Sequence, residues 1–268
     1  MTDFTERFAF GANWQRFRAT LDKRRIDHAM RSFMELLGGP PTAGQTMLDI
    51  GCGSGLSSLV ARRLGLRVHG FDFDPDSVEC SQAVRAQLAP GDEYWTIERG
   101  DVLDSAYLAR LGTFDLVYSW GVLHHTGDMW RAIDNAARCV APGGRLALAI
   151  YNDQGGASRR WRAVKRLYNR LPRALRPLLV AACIPGQWWK DILSGVLGGR
   201  PLQAWRDYSR DRGMSPWHDM VDWVGGYPFE VAKPEEIFEF MRARGFALER
   251  LKTCGGGIGC NEYVFAKI

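Results

Sequence analysis

Apolar residues recur along this chain in two rhythms, and the rhythm changes along its length. Over residues 1–37 the spacing is helical, most clearly at Ile26, Met30, Phe33, Met34 and Leu37. Gly38-Gly39-Pro40-Pro41 ends that helix. Short apolar runs then alternate with amphipathic stretches. The runs predict strands at Thr46–Ile50, Leu66–Phe71, Tyr94–Glu98, Phe114–Ser119 and Gly144–Tyr151. Helices are predicted between them at Leu56–Leu64, Ser77–Leu88, Ala106–Leu111 and Met129–Val140. Strands separated by helices of this length make βαβ units and a mostly parallel sheet, an α/β fold. The alternation stops at Tyr151. Residues 152–230 are rich in Arg, Trp, Gly and Pro and hold six of the ten Trp, which reads as a mostly helical insertion. Pro234-Glu235-Glu236 then opens a helix, with proline in its first turn and acids beside its positive end, and Gly245 closes it. Phe246–Thr253 and Glu262–Lys267 read as two final strands. The loop Cys254–Cys260 joins them, which makes the last strand antiparallel to its neighbour.

Composition narrows the class. With 268 residues, 46% hydrophobic and 24% charged, the chain can bury one sizeable core with an appended subdomain. Its opening residues are polar and mixed, unlike a secretory leader. The longest nearly apolar run, Leu175–Gln187, is broken by Arg176, Pro177 and Pro185 and is too short to span a bilayer. Six scattered cysteines read as reduced thiols of a cytoplasmic protein, and no spacing among them resembles a metal site. The net charge of +5 is unevenly placed: residues 152–230 carry 13 Lys/Arg against 7 Asp/Glu, and Arg159–Arg176 has eight basic residues and no acid. A solvated helix face explains such a run, and so does an acidic substrate, a membrane surface reached through 159–197, or nucleic acid.

The sharpest local signal is Leu48-Asp-Ile-Gly-Cys-Gly-Ser-Gly55, between a strand and a helix. Glycines let the backbone pass close under a ligand, and the following helix points N–H groups at the same place. The spacing is G-x-G-x-G, not the G-x-G-x-x-G of dinucleotide sites. Asp49, two residues before the first glycine, suits an ammonium group better than a pyrophosphate. Asp72 ends the second strand, where doubly wound folds place an acceptor for ribose hydroxyls. Asp74, two residues on, competes for that role, but Asp74-Pro75 looks like a helix start. Asp101 ends the third strand, placed either for an exocyclic amine or as a helix cap.

These features resemble the class I S-adenosylmethionine-dependent methyltransferases, in particular the ubiquinone/menaquinone-biosynthesis-like small-molecule group. The resemblance rests on Leu48–Gly55, Asp72, Gly100-Asp101-Val102, the run Phe114–His125 and Val140–Leu146, and so covers residues 44–151. It implies a Rossmann-like sheet of seven strands with a reversed last strand. It also implies S-adenosyl-L-methionine as cofactor, leaving S-adenosyl-L-homocysteine as product. By the same resemblance Asp49, Gly51, Cys52, Gly53 and Gly55 line the methionine end, Asp72 and Phe73 meet the ribose and base, and Asp101 and Val102 meet the adenine. Ser119, Trp120 and Gly121 lie under the cofactor. Phe8–Trp14 resembles a segment that closes over it. The organisation expected is an N-terminal helical cap at 1–43, a cofactor-binding core at 44–151, a basic Trp-rich lid at 152–230, and completion of the core at 231–268.

His124 and His125 follow the fourth predicted strand, at the sheet edge where open α/β folds bind ligands. Imidazole is a suitable general base for a hydroxyl acceptor. Either ring could serve, with His125 nearer the turn, and packing residues are the competing reading. Tyr151, Asn152, His218, Tyr227 and Glu230 are candidate contacts to the acceptor. The acceptors that remain open are a sugar or natural-product hydroxyl and a lipid-linked or quinone-type molecule at a membrane surface. RNA is disfavoured, because no nucleic-acid module is present and Ser119-Trp-Gly-Val122 stands where amino-directed nucleic-acid methyltransferases carry their signature. A cofactor-binding protein without catalysis is the remaining alternative.

Overall fold

The computed structural model describes Phe8, Gly11 and residues 21–197, 216–257 and 259–268; at 187–197, Pro216, His218 and Asp219 it describes the backbone alone. The chain divides into two compact units, residues 1–8 with 159–229 and residues 9–158 with 230–268.

The larger unit is built on one seven-stranded sheet. Its strands are β1 (Thr46–Ile50), β2 (Arg67–Asp72), β3 (Trp95–Arg99), β4 (Phe114–Trp120), β5 (Val140–Tyr151), β6 (Phe246–Lys252) and β7 (Cys260–Lys267), in the order β3-β2-β1-β4-β5-β7-β6. β1 to β5 pair in parallel, and β7 runs antiparallel to both β5 and β6. Helices α1 (Lys23–Leu37), α2 (Leu56–Arg63), α3 (Pro75–Leu88), α4 (Ser105–Leu111), α5 (Met129–Arg138) and α9 (Pro234–Arg242) cover its faces.

Strand alternation decides which residue serves which face. Met47, Leu116, Tyr118, Ala147 and Val264 point to the side of α1, α2 and α3, where they meet Ile26, Phe33, Leu59, Val60 and Val84. Leu48, Ile50, Val117, Leu146 and Leu148 point to the side of α4, α5 and α9, where they meet Leu108, Ile133, Ala136, Ile237 and Met241. Helix α1 is thus a full member of the core and does not stand apart as a cap. Gly38 ends it in the left-handed region (φ 81°). β5 begins at Val140, four residues before the expected start, and its pairing with β4 is irregular between Val140 and Arg145.

The β5–β7 register settles where the Cys254–Cys260 loop lies. Tyr151 pairs with Cys260 and Arg145 with Ala266. The loop therefore sits at the carboxyl edge of the parallel strands. Asn152 N–H donates to the Gly259 carbonyl (2.9 Å), and Asn261 Nδ2 donates to Asn152 Oδ1 (3.0 Å).

The smaller unit carries α6 (Gly156–Arg170), whose first turn belongs to the larger unit, α7 (Arg176–Leu197) and α8 (Pro216–Gly225). Its core gathers Tyr168, Val180, Met220 and Val224, with Trp161, Val164 and Trp223 packed against them. One face of α6 holds the end of α8 and the chain after it. Lys165 Nζ donates to the Trp223 carbonyl, Asn169 Nδ2 to that of Gly225 (2.7 Å) and Arg162 Nε to that of Phe229 (3.0 Å). Side-chain donors there satisfy carbonyls that the helix end and the chain after it leave open. Lys165 is fully buried, its Nζ 4.2 Å from the Trp223 ring centre and 4.8 Å from that of Phe229.

Burial lowers the Lys165 pKa from 10.5 to about 7, against the opposing pull of Asp222. A lysine whose folded pKa lies below its unfolded value binds fewer protons folded than unfolded, so it adds stability as pH rises from about 7 towards 10.5. Thermal unfolding of the wild-type chain and Lys165→Met between pH 7 and 9 checks this. The wild-type midpoint should climb relative to that of the variant across the range.

Candidate functional site

The glycine loop leaves β1 at Ile50 and enters α2 at Leu56. Four of its N–H groups are committed inward. Gly51 and Cys52 donate to the Phe71 carbonyl at the end of β2 (2.8 and 3.0 Å), Gly53 to Asp72 Oδ2 (3.0 Å) and Gly55 to the Cys52 carbonyl (2.8 Å). A pyrophosphate needs such groups free. Here those four are spent, and the glycines offer a ligand close approach. Gly51 has φ 73°, and a Cβ there would stand 2.4 Å from Val122 Cγ1. This contact joins the glycine loop to the loop after β4, which carries the two histidines.

Asp49 is 2% exposed and accepts from Ser58 Oγ of α2 at 2.6 Å. The carboxylate, expected at a ligand ammonium, is held at the end of β1 by this bond. Burial raises its pKa to about 7, with Ser58 opposing and the Asp72 charge adding to the rise. Cys52 is likewise buried, and burial lifts its thiol pKa well above the usual range. Ser81 Oγ on α3 donates to the Gly53 carbonyl (3.0 Å) and lies 3.5 Å from Cys52 Sγ. Ser58 and Ser81 thus brace the loop from two helices.

Asp72 is partly exposed at the end of β2, with Oδ2 on Gly53 N and Oδ1 on Asp74 N (2.9 Å). Burial raises its pKa to about 6, and those backbone donors oppose the rise. Asp74 is the N-cap of α3, accepting from Asp76 N, and also accepts from Gly11 N (2.9 Å). It is thereby committed as a helix start, which leaves Asp72 as the acid at the strand end. Phe73 is exposed, under the Arg99 guanidinium. Asp101 Oδ1 accepts from Leu103 N (2.8 Å), and Val102 is buried with its carbonyl on Asn135 Nδ2 (2.8 Å). Gly100 is required by Tyr107, whose ring a Cβ would meet at 2.4 Å.

Ser119 is wholly buried, its Oγ donating to the Ile50 carbonyl (3.1 Å), so it ties β4 to the end of β1 and presents no surface of its own. Trp120 is half exposed, and its Nε1 donates across the sheet to Glu262 Oε1 (3.0 Å). Gly121 turns the chain at φ 77°.

The two histidines are not equivalent. His124 is fully buried, its ring 3.9 Å from that of Tyr151 and 4.5 Å from that of His125. The Tyr151 N–H donates to His124 Nδ1 at 3.3 Å. A backbone N–H can only donate, so Nδ1 carries no proton and the neutral ring holds its proton on Nε2. That tautomer has no lone pair left for substrate. His125 is partly exposed, its ring edge-on to Tyr151 at 5.5 Å.

Glu230 fixes this loop. Its carboxylate accepts from Gly127 N (3.0 Å) and Met129 N (3.1 Å), capping α5 from a distant part of the chain, and its own N–H donates to the His124 carbonyl (3.0 Å). Glu230, a candidate acceptor contact by sequence, thus braces the loop. Asn152 is tied to Asn261, as described. Tyr227, in the smaller unit, accepts from Phe8 N through its carbonyl (2.9 Å). The His218 side chain lies outside the described residues, as does most of Phe8–Trp14.

A family model described as a methyltransferase domain matches residues 21–180, and the chain belongs to that family. Curated relatives agree. The chain is 33% identical over 129 residues to a norajmaline N-methyltransferase of Rauvolfia serpentina, covering 48% of this chain and 43% of the relative. It is 35% identical over 129 residues to the 27-O-demethylrifamycin SV methyltransferase of Amycolatopsis mediterranei (47% and 46%). It is 35% identical over 116 residues to a ubiquinone biosynthesis O-methyltransferase of Methylobacterium (43% and 45%). The chain thus spans less than half the length of these relatives. Among solved structures, magnesium protoporphyrin IX methyltransferase from Synechocystis with bound S-adenosylhomocysteine shares the fold (TM-score 0.53, 16% identity, 91% of this chain and 83% of that one). So does the N-methyltransferase NodS of Bradyrhizobium japonicum with the same ligand (TM-score 0.52, 17% identity, 97% and 99%).

Two outcomes are expected. Asp72→Ala removes an acceptor for two backbone N–H groups and should weaken S-adenosylhomocysteine binding by about tenfold or more, read by calorimetry. Glu230→Ala removes the cap of α5 and should cost about 1–2 kcal/mol in denaturant unfolding while leaving that affinity nearly unchanged.

Proposed function

We propose that this protein is an S-adenosylmethionine-dependent methyltransferase that methylates a hydroxyl group of a small-molecule acceptor, with His125 as general base. The cofactor reading is supported by the family, by a glycine loop whose inward N–H groups suit a ligand without phosphates, and by carboxylates at the ends of β2 and β3. Asp72 and Asp101 would hold the nucleoside end. When bound, S-adenosylmethionine supplies a methyl group already activated as a sulfonium. The remaining tasks of the chain are to position the acceptor and to take its proton.

The curated relatives include both N- and O-methyltransferases, so they leave the acceptor atom open. The histidine pair is the observation that carries the hydroxyl reading. Tyr151 N–H occupies His124 Nδ1, and the partly exposed His125 stands in the same loop, one contact from the glycine turn through Val122 and Gly51. A hydroxyl must lose its proton as the methyl group arrives, and a partly exposed neutral imidazole is a suitable acceptor for it. An acceptor amine that is already neutral needs no such base. Glu230 and Tyr151 hold the loop that carries the base.

Thermal stabilisation by S-adenosylhomocysteine is expected and by NADH is not; a shift with NADH alone would overturn the methyltransferase reading. Incubation with methyl-labelled S-adenosylmethionine and a cell extract, followed by mass spectrometry of aqueous metabolites, lipids and RNA, identifies the acceptor. With that acceptor, His125→Ala should lower kcat by about a hundredfold or more and leave S-adenosylhomocysteine affinity intact. His124→Ala should mainly lower the unfolding midpoint, because it empties a fully buried site. Full activity of His125→Ala would remove the base, and with it the case for a hydroxyl.

A further inference from the structure

Helices α6 and α7 have an inner face, packed on the small core of their unit, and an outer face that nothing in that core covers. On α7, Leu178, Ala181, Ala182 and Pro185 stand at i, i+3, i+4 and i+7, one stripe of the helix, and all four are exposed, Leu178 at 66%. Leu175 in the preceding turn (45%) and Leu167 on α6 (48%) extend the apolar surface. The core-facing positions of the same helices are filled by other residues, Trp161, Val164, Tyr168, Leu179 and Val180. The exposed leucines are therefore surplus to the fold.

Along the segment that carries them the charge has one sign. No Asp or Glu occurs between Asp153 and Asp191, while nine Lys or Arg do. Arg166, Arg170 and Arg173 are exposed beside the leucines. We propose that this face docks on the surface of an anionic lipid bilayer, with Leu167, Leu175 and Leu178 entering the acyl boundary and the arginines meeting the headgroups. Arginine side chains can lie along apolar surface while keeping the guanidinium in the polar layer. Apolar burial combined with polybasic attraction is the physical recipe for interfacial binding. Self-pairing of this face would set arginines against arginines with no acid in the segment to relieve them. Docking lies flat and does not span, since no helix among the described residues is long and apolar enough to cross a membrane.

Vesicle flotation tests this with the full chain. The protein should float with vesicles of phosphatidylcholine containing about one third phosphatidylglycerol, remain behind with phosphatidylcholine alone, and detach as salt is raised. Leu175→Glu with Leu178→Glu should weaken binding by about tenfold or more. Arg166→Gln, Arg170→Gln and Arg173→Gln together should weaken it by about a hundredfold. All these positions are exposed, so unchanged circular dichroism and unfolding midpoints should show that the variants fold. Absence of flotation with anionic vesicles, equal flotation with neutral ones, or indifference to both sets of substitutions overturns the proposal. Binding to polyuridylate in place of vesicles would make the face a nucleic-acid surface and overturn it as well. The assay uses no cofactor, so its failure leaves the methyl-transfer reading standing.

Discussion

The site depends on how the end of β2 holds the glycine loop. One carbonyl, that of Phe71, accepts from two successive N–H groups, and the next residue, Asp72, accepts a third through its side chain. Backbone groups removed from water must find partners, and drawing these three inward forces the left-handed φ values at Gly51 and Gly53. That conformation in turn lets Val122 close on Gly51, which brings the histidine loop alongside. A single strand end thus organises the turn, its acidic neighbour and the approach of the adjacent loop.

From that junction outward, the larger unit uses polar side chains as braces more than as contacts. Ser58, Ser81, Ser119 and Glu230 each spend a hydroxyl or carboxylate on a loop or strand end. The neighbouring histidines show the same economy. One N–H from β5 assigns the buried imidazole a tautomer and a packing role, and the ring beside it stays partly exposed. Preorganisation of this kind suits a reaction in which the donor arrives activated and alignment is the remaining difficulty.

Much of this was legible in the sequence. Short apolar runs between amphipathic stretches located the strands, and Asp74-Pro75 marked the start of α3, because those signals are local. The braces were not legible. Serine on a helix has no signature for what it faces, and Ser58 and Ser81 matter only because the sheet brings their helices under the loop. Glu230 looked like a ligand contact because its partners, Gly127 and Met129, lie about a hundred residues away in the chain. The difference between His124 and His125 rests on one long-range hydrogen bond to Tyr151 that spacing does not reveal. The edge on which the Cys254–Cys260 loop falls was undetermined until the β5–β7 register placed it.

That placement has an architectural consequence. In a parallel sheet, loops at the carboxyl edge are starts of crossovers, so their length is constrained by the helix that must follow. The reversed β7 supplies a hairpin there instead, closed on itself by Asn261 and Asn152. Such a hairpin can be lengthened, shortened or exchanged without re-threading a helix or shifting a strand. Within this fold it is a module open to remodelling, at the same edge of the sheet as the glycine loop and free of the scaffold's topology.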